Sequence, residues 1–258
     1  MDATEVVTAL EGIAPLRLAA EWDNVGLLVE GTRAVGCAGL CVDLTEPVLD
    51  ELLAAGVDFV VAYHPPVFRP LSRLTRRSPA ERIALAAARA GVWVYSPHTA
   101  LDAARDGMTD WLLGAVGPVR GVAPAVADAV EPDLGAGRLA TRVEPAPLDQ
   151  VVEQVKRFLG LPVVRVAAPP GFGLVRTVAV CPGSGGSVVG RARADLVLTG
   201  ELGHHEVLAR VAAGGAVVLT DHSNTERGFL PVLADRLTRG LGLEVVVSRV
   251  DRDPLVAR

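Results

Sequence analysis

Short apolar runs and amphipathic stretches alternate along most of this chain. FVVAYH (59–64) and VWVYS (92–96) are runs of branched and aromatic residues that stop at prolines, which is typical of buried strands. Between them, SPAERIALAAARAG (78–91) has the pattern of a helix, with Ser78 as its N-cap and Gly91 at its end. Strand, helix and strand in this order predict a βαβ unit with parallel strands.

The same alternation continues on both sides of this unit. GCAGLCVDLT predicts a strand that ends at Asp43, followed by a helix that Thr45 caps and that runs to Gly56. Pro231 lies inside a helical pattern, so we expect a kink there or a helix that starts at this proline. The second half predicts further strands at 137–145, 163–168, 175–181, 195–200, 216–222 and 243–250, and helical patterns at 147–160 and 223–242, with GELGHHEVLARVAAGG (200–215) following the strand at 195–200.

This order of elements predicts an α/β fold with two lobes and largely parallel sheets. A chain of 258 residues with 50% hydrophobic content is large enough to bury two cores. We predict a first lobe at 1–122 and a second at 123–258, with 221–258 as a candidate for packing back on the first. Residues 117–137 are rich in Gly, Ala and Pro with little periodicity, so they are interpreted as the connection.

Charge and composition exclude several classes of function. A net charge of −5 argues against a nucleic-acid surface, and no stretch has the ~20 apolar residues of a membrane span. The acidic, amphipathic start of the chain resembles neither a signal nor a transit peptide. Cys37, Cys41 and Cys181 do not form a disulfide framework, and we interpret them as core residues of a cytoplasmic protein.

The histidines concentrate near predicted strand ends, where open α/β sheets carry their chemistry. His222 and Glu226 are four residues apart, and His98 and Asp102 repeat that spacing. Imidazole and carboxylate ligands together suit Zn, Mn, Fe or Co rather than Ca or Mg. The alternatives are helix capping or ion pairing for the carboxylates, and a hydrogen-bonded strand-end residue for His64. All five histidines lie in such segments: His64, His98, His204, His205 and His222.

Three other stretches are candidates for contacting a substrate. EWDNVGLLVEG contains the turn formers Asp23 and Asn24, and the alternative is a tight turn under a buried Trp22. The glycines of CPGSGGS could hold a phosphate through backbone N–H groups, or could form a plain turn, since no P-loop lysine follows. A phosphate could also meet the arginines after His64, although a solvated loop explains them as well: Arg69, Arg73, Arg76, Arg77 and Arg82.

Together these phrases resemble the Nif-three-like family, also described as GTP cyclohydrolase I type 2 homologues. WDNVGLLVE, YHPPVFRPL, YSPHTALDAA, CPGSGGS, TGELGHHEVLA and DHSNTERGFL occur in family order over nearly the whole chain. YHPPVFRP, SPHTALDAA and HSNTERGFL are similar to the animal-type branch. Longer members carry an inserted domain between the halves, and this chain is similar to a short member.

The resemblance implies two interlinked α/β domains, a homo-hexameric ring and a dinuclear metal site at strand carboxyl ends between the domains. The residues that match the family's ligands are His64, Asp102, His222 and Glu226. Tyr63 stands where the family usually has a second histidine, so one or two metal ions are expected, with a weaker second site because a phenol must lose a proton to bind. His205 is a further candidate, either as a weak metal ligand or as a residue that contacts the ligands.

The resemblance and the residues leave two classes of function open. In the first, the protein is a metal-dependent hydrolase acting on a small phosphorylated or heterocyclic substrate, with His98 or His204 transferring a proton. Trp22, Asp23, Asn24 and Arg69 would then line the substrate site. In the second, the protein is a metal-binding ring that serves as a scaffold or an interaction partner without turnover. Nothing in the sequence specifies a pocket for GTP.

Overall fold

A computed structural model describes residues 1–255 of the chain. The helices are α1 (Ala3–Ile13), α2 (Glu46–Ala54), α3 (Pro79–Ala90), α4 (His98–Ala103), α5 (Met108–Leu113), α6 (Leu148–Leu159), α7 (Gly186–Val189), α8 (His204–Ala212) and α9 (Leu230–Leu241). The strands are β1 (Gly26–Val29), β2 (Cys37–Asp43), β3 (Phe59–His64), β4 (Trp93–Ser96), β5 (Val119–Ala123), β6 (Val126–Ala127), β7 (Gly135–Ala136), β8 (Arg138–Pro147), β9 (Arg165–Ala167), β10 (Leu174–Ser184), β11 (Leu196–Glu201), β12 (Ala216–Leu219) and β13 (Glu244–Val247). Single 3₁₀ turns lie at Leu16–Leu18, Gly114–Val116, Ser223–Thr225 and Arg227–Phe229. This confirms the predicted α/β class.

The first unit, Met1–Leu101 with Phe229–Arg252, is built on a five-stranded sheet. Its strand order is β1-β4-β3-β2-β13, and only β1 runs antiparallel to its neighbour. The predicted βαβ unit is therefore present as β3, α3 and β4. Because the strands are buried on both faces, they carry continuous runs of Val, Ala and Cys rather than an alternating pattern.

The core of the first unit lies between its parallel strands and the helices α2 and α3. Leu49 and Leu52 of α2 and Ile83 of α3 pack with Val60 and Val94 of the sheet. Each of these side chains is at most 4% exposed, and burying one such group stabilises the fold by about 1.5–3 kcal/mol. This packing holds the strands rigidly, so the residues at their ends are held as well.

The helix boundaries confirm two sequence predictions and correct a third. Ser78 caps α3 by accepting a hydrogen bond from the Glu81 N–H, and α9 begins next to Pro231, which lies in its first turn. Thr45 occupies the N-cap position of α2, but its side chain makes no capping hydrogen bond. The Thr45 cap predicted from the sequence is therefore wrong in this detail.

The second unit, Asp102–Gly228 with residues 253–255, is built on a six-stranded sheet in the order β5-β8-β10-β11-β12-β9. Its centre is parallel, because α7 and α8 connect β10, β11 and β12. Its remaining strands pair antiparallel. Its main core joins apolar residues of these strands to α5 and α6, among them Leu112, Val151, Val155 and Leu198.

The predicted connection at 117–137 is not a linker. It contains β5, which pairs with β8 at the edge of the second sheet, and the small β6–β7 ribbon. Backbone hydrogen bonds between distant strands do not require apolar periodicity, so the sequence pattern missed them. The boundary between the units accordingly falls after Leu101 and not at residue 122, and the chain returns to the first unit at Phe229–Arg252.

Two findings bear on composition. Among residues 1–255, no helix combines the length and the apolar character that crossing a bilayer requires. Cys37, Cys41 and Cys181 are all buried and form no disulfide among the described residues, as expected of core residues. Burial raises the pKa of the Cys181 thiol, and the negative charges of Asp102 and Glu226 raise it further, so this thiol stays protonated.

Candidate metal centre

In the first unit, His64 and Asp43 are paired at the carboxyl ends of neighbouring parallel strands. They are register partners in the β2–β3 pair, and the Nδ1 atom of His64 lies 2.8 Å from Oδ1 of Asp43. Pro65 and Pro66 follow His64 directly and cannot continue the ladder of hydrogen bonds. The strand thus ends at His64, whose imidazole is held along one edge by a carboxylate.

A cavity of about 420 Å³ borders this histidine within the first unit. It is lined by Asp43, His64, Pro65 and the first turns of α2 and α3. Its size is within the usual range for a site that binds a small molecule, about 300–1,000 Å³. A substrate of modest size therefore has room beside the candidate ligand.

Asp23 holds His98 and the residue that follows it. The Oδ1 atom of Asp23 lies 2.7 Å from Nδ1 of His98, and its other oxygen accepts hydrogen bonds from the backbone and hydroxyl of Thr99. Burial alone raises the pKa of the Asp23 carboxyl, but the hydrogen bonds from His98 and Thr99 outweigh it, so the pKa lies below its usual range. The carboxylate is therefore ionised beside the imidazole at neutral pH.

The backbone of His98 has a φ of +27°, which is rare for a residue with a side chain. Such a conformation persists where surrounding contacts hold it, and it is common at functional sites. Here the contacts come from Asp23, whose side chain is fully buried. Strain and burial at the same residue support a functional interpretation of His98.

Aromatic rings surround His98 in the same unit. The rings of Tyr63, His64, Phe68 and Trp22 each lie with centroids 5.3–6.5 Å from that of His98. Trp22 is 65% exposed, so the alternative of a buried tryptophan under the turn is wrong. The indole extends over the surface because the adjacent carboxylate, not the ring, occupies the interior.

The other predicted substrate contacts differ in how firmly they are held. Asn24 donates a hydrogen bond from Nδ2 to the Val67 carbonyl, 2.5 Å away, which ties the turn to the chain that carries Phe68. Arg69 is exposed at the end of that segment. The turn therefore positions an aromatic surface next to His98, with an arginine at its margin.

In the second unit, His222 and Glu226 come together as their spacing predicts. Nε2 of His222 lies 3.4 Å from Oε1 of Glu226, across the 3₁₀ turn Ser223–Thr225. The glutamate side chain is only 2% exposed and the histidine 37%. Nδ1 of His222 faces Oε2 of Glu201 at 3.4 Å, so this imidazole also has a carboxylate on the edge opposite Nε2.

Gly183 provides the space for this pair. A Cβ atom at Gly183 would lie 2.9 Å from Nε2 of His222 and 2.9 Å from Oε1 of Glu226, closer than real Cβ contacts. Its φ of +58° is in the left-handed region, which glycine adopts without strain. The Gly183 N–H donates to Oγ1 of Thr225, and its carbonyl accepts from Oγ1 of Thr199. Hydrogen bonds thus fix this glycine directly against both candidate ligands.

These bonds change the interpretation of the glycine-rich CPGSGGS stretch. β10 extends through Ser184, and the Gly183 N–H, a candidate phosphate donor, is occupied by Thr225. Gly185 and Gly186 have no room for a side chain because Thr199 and Glu206 lie against them. The close approach of other groups therefore accounts for Gly183, Gly185 and Gly186.

The remaining predicted residues lie in the same unit as His222. Asp102 lies in α4. The negative charges of Asp102 and Glu226 both raise the pKa of the Cys181 thiol. His204 and His205 form the exposed first turn of α8, with ring centroids 5.5 Å apart. Asp102 and Glu226 thus share an electrostatic influence on one buried cysteine, whereas the His204–His205 pair lies on the surface.

Sequence reasoning did not place three residues beside the candidate ligands. They are Asp43 beside His64, Glu201 beside His222, and Gly183 against His222 and Glu226. A signal was present for Asp43, because it ends the strand next to β3 at the same level as His64. Imidazole and carboxylate suit a borderline divalent ion, which makes His64 in the first unit, and His222 with Glu226 in the second, the candidate ligands.

Comparison with known proteins places this fold in a family. The model of Duf34/NIF3 (NGG1p interacting factor 3) matches residues 1–254. The chain belongs to the DUF34/NIF3 family. Among its DUF34/NIF3 relatives, the NIF3 homolog of Schizosaccharomyces pombe is 41% identical over 270 residues, covering 98% of this chain and 97% of the relative. The NIF3-like protein 1 of Homo sapiens is 33% identical, covering 99% of this chain and 92% of the relative.

Solved structures agree with the DUF34/NIF3 assignment. A Bacillus cereus protein related to NIF3 superposes with a TM-score of 0.85 at 19% identity, covering 99% of this chain and 98% of that one. Reduced HcgD from Methanocaldococcus jannaschii superposes with a TM-score of 0.82 at 25% identity, covering 96% and 98%. The superposition on the Bacillus cereus protein shows a shared fold. The family assignment rests on the family model and on the relatives of higher sequence identity.

Proposed function

We propose that this DUF34/NIF3 protein binds a divalent metal ion and hydrolyses a small phosphorylated or heterocyclic substrate. The proposed ligands are His222, Glu226, His64 and Asp102. The observation that carries the proposal is the His222–Glu226 pair, with Nε2 and Oε1 3.4 Å apart and a glycine in front of them.

In the second unit, Gly183 leaves space for a metal ion beside His222 and Glu226. Any side chain at Gly183 would fill the space in front of Nε2 of His222 and Oε1 of Glu226. A neutral imidazole nitrogen and a carboxylate oxygen are the ligands that Zn, Mn, Fe or Co take in proteins. His64, whose Nδ1 is held by Asp43, offers the same ligand chemistry and is therefore proposed as a further ligand.

A bound divalent ion would supply Lewis acidity to an electrophilic carbon or phosphorus centre and to water. The chain itself would move the proton. Asp23 holds Nδ1 of His98, so Nε2 is the atom of His98 that is left to accept or donate a proton. Trp22 and Phe68 offer aromatic faces to a planar substrate, and Arg69 offers a charge for a phosphate. His204 is the second candidate for proton transfer. His205 is proposed as a weak metal ligand or as a neighbour of the ligands.

A second candidate function is an interaction scaffold. The description of the family includes the words interacting factor, which favours it. In that case metal binding would shape the protein without turnover. The assembly proposed for either function is a homo-hexamer, and the proposed location is the cytoplasm.

Metal analysis and turnover, measured together, test the proposal. We expect one or two metal equivalents per purified chain, and a large loss of metal in Glu226→Gln. Glu153→Gln is the control, because Glu153 is an exposed glutamate paired with Lys156 on α6. Metal-dependent hydrolysis of phosphate esters or nucleotides that is lost in Glu226→Gln supports the enzyme.

The other outcomes are distinct. Bound metal without hydrolysis of any substrate in these two classes would favour the scaffold. Equal metal content in Glu226→Gln and Glu153→Gln would show that Glu226 is not a ligand. Absence of metal from the unmutated protein after growth and purification with Zn, Mn, Fe and Co would refute the proposal.

A further inference from the structure

We infer that Asp43 is the positioning residue that orients His64 for metal binding, and that Asp251 holds Asp43 in place. This inference rests on the proposed function in taking His64 as a ligand. Neutral imidazole has one N–H donor and one acceptor nitrogen. With Oδ1 of Asp43 2.8 Å from Nδ1 as a hydrogen-bond acceptor, the proton belongs on Nδ1, and Nε2 is then the nitrogen whose lone pair can bind a metal ion.

The register of the sheet makes this contact inherent in the fold. Asp43 and His64 are directly opposed in the parallel β2–β3 pair, each as the last residue of its strand. Side chains at opposed positions of neighbouring strands point to the same face of a sheet. The carboxylate therefore reaches the imidazole without a long or flexible side chain.

Asp43 is itself held by a residue far away in sequence. Asp251 is 7% exposed, and its carboxylate accepts hydrogen bonds from the backbone N–H groups of Val42, at 2.6 Å, and Asp43, at 3.4 Å. The segment that carries Asp251 is anchored in turn, because Glu51 of α2 accepts backbone hydrogen bonds from Arg249 and Val250. The end of β2 is thus fixed where Asp43 meets His64.

A carboxylate also faces Nδ1 of His98 in the first unit and of His222 in the second unit. Asp23 faces Nδ1 of His98 at 2.7 Å, and Glu201 faces Nδ1 of His222 at 3.4 Å. At each histidine a carboxylate faces Nδ1, and at His222 a second carboxylate, that of Glu226, faces Nε2 at 3.4 Å. At His64 and His98 the short contact at Nδ1 favours the Nδ1–H tautomer, which makes Nε2 the nitrogen for metal binding or proton transfer.

The test separates orientation of His64 from metal binding. In metal-free, ¹⁵N-histidine-labelled protein above pH 8, the nitrogen shifts of His64, assigned by comparison with His64→Gln, report which nitrogen carries the proton. We expect Nδ1–H in the unmutated protein and a shift toward Nε2–H in Asp43→Ala. Asp43→Asn is the second variant, because its amide retains the shape of the carboxylate if Asp43→Ala folds poorly.

Asp58→Ala is the matched control. Asp58 also accepts backbone hydrogen bonds at β2, from Gly36 and Cys37, but at the opposite end of the strand. We expect this variant to keep His64 in the Nδ1–H form. Measured by chelator competition with Zn²⁺, metal affinity should fall about 10–100-fold in Asp43→Ala and remain unchanged in Asp58→Ala. Asp251→Asn should show a smaller loss in the same direction as Asp43→Ala.

Each outcome has one meaning. An Nε2–H form in the unmutated protein, or an Nδ1–H form that survives in both Asp43 variants, would overturn the inference. A tautomer shift in protein that binds no Zn²⁺ would uphold the orientation by Asp43 and refute the proposed metal function instead. A tautomer shift with unchanged Zn²⁺ affinity would show that Asp43 orients His64 but that His64 is not a ligand, which also overturns the inference.

Discussion

The replacement of Gly183 by alanine tests the candidate metal centre most directly. The added Cβ would lie 2.9 Å from Nε2 of His222 and 2.9 Å from Oε1 of Glu226. Ordinary contact begins near 3.4 Å, so each ligand atom must retreat by about 0.5 Å. Metal–ligand distances tolerate only about 0.2 Å. We therefore expect Gly183→Ala to weaken metal binding at least tenfold, or about 1.4 kcal/mol.

Stability should change much less than metal binding in this variant. The atoms in the way are the ends of two side chains, which can rotate, so the main cost is the left-handed backbone conformation. An alanine at a φ of +58° costs about 1–2 kcal/mol. The control is Gly160→Ala, since Gly160 has a φ of +68° and nothing within 4 Å of its added Cβ.

Two measurements on both variants decide the matter. Urea unfolding of the metal-free proteins gives the free energy of unfolding, and chelator competition gives the dissociation constant for Zn²⁺. We expect similar losses of stability in the two variants and a loss of metal affinity in Gly183→Ala alone. Equal metal affinities, with Gly183→Ala folded, would refute the assignment of His222 and Glu226 as ligands.

Three further predictions concern other parts of the molecule. Tyr63→His should raise the metal content toward two ions per chain, because ionising a phenol of pKa ~10 at neutral pH costs about 4 kcal/mol. An unchanged metal content in elemental analysis would contradict this prediction. Tyr95→Phe should raise the free energy of unfolding by about 1 kcal/mol, because the buried Tyr95 hydroxyl has no hydrogen-bond partner among the described residues. Burial, with the charge of Glu11, also raises the pKa of the Tyr95 phenol above its usual 10.0, so the unfolded chain ionises first and stability falls above pH 10. Thermal melts should show a smaller alkaline loss in Tyr95→Phe than in the unmutated protein, and an equal loss would contradict it. Light scattering should find six chains per particle, and a monomer at micromolar concentration would disprove the hexamer.

The sequence by itself determined the α/β class and much of the candidate chemistry. Runs such as FVVA (59–62) are apolar throughout because both faces of a parallel strand are buried, and this local signal is readable without a structure. The spacing of His222 and Glu226 also sufficed, because a single turn between them keeps two residues four apart on one side. Local periodicity and capping residues therefore predicted most of the elements and the pairing of His222 with Glu226 as candidate ligands.

Only the tertiary structure decided which distant residues surround these ligands. Gly183 meets His222 and Glu226 because Thr225 and Thr199 hold the end of β10, and Asp43 meets His64 through the register of two strands. The second sheet likewise took in β5, in a stretch with no apolar periodicity. Strand register and hydrogen bonds between distant segments depend on the assembled sheet. No window of neighbouring residues encodes them, so the contacts that shape the candidate centre appear only once the chain has folded.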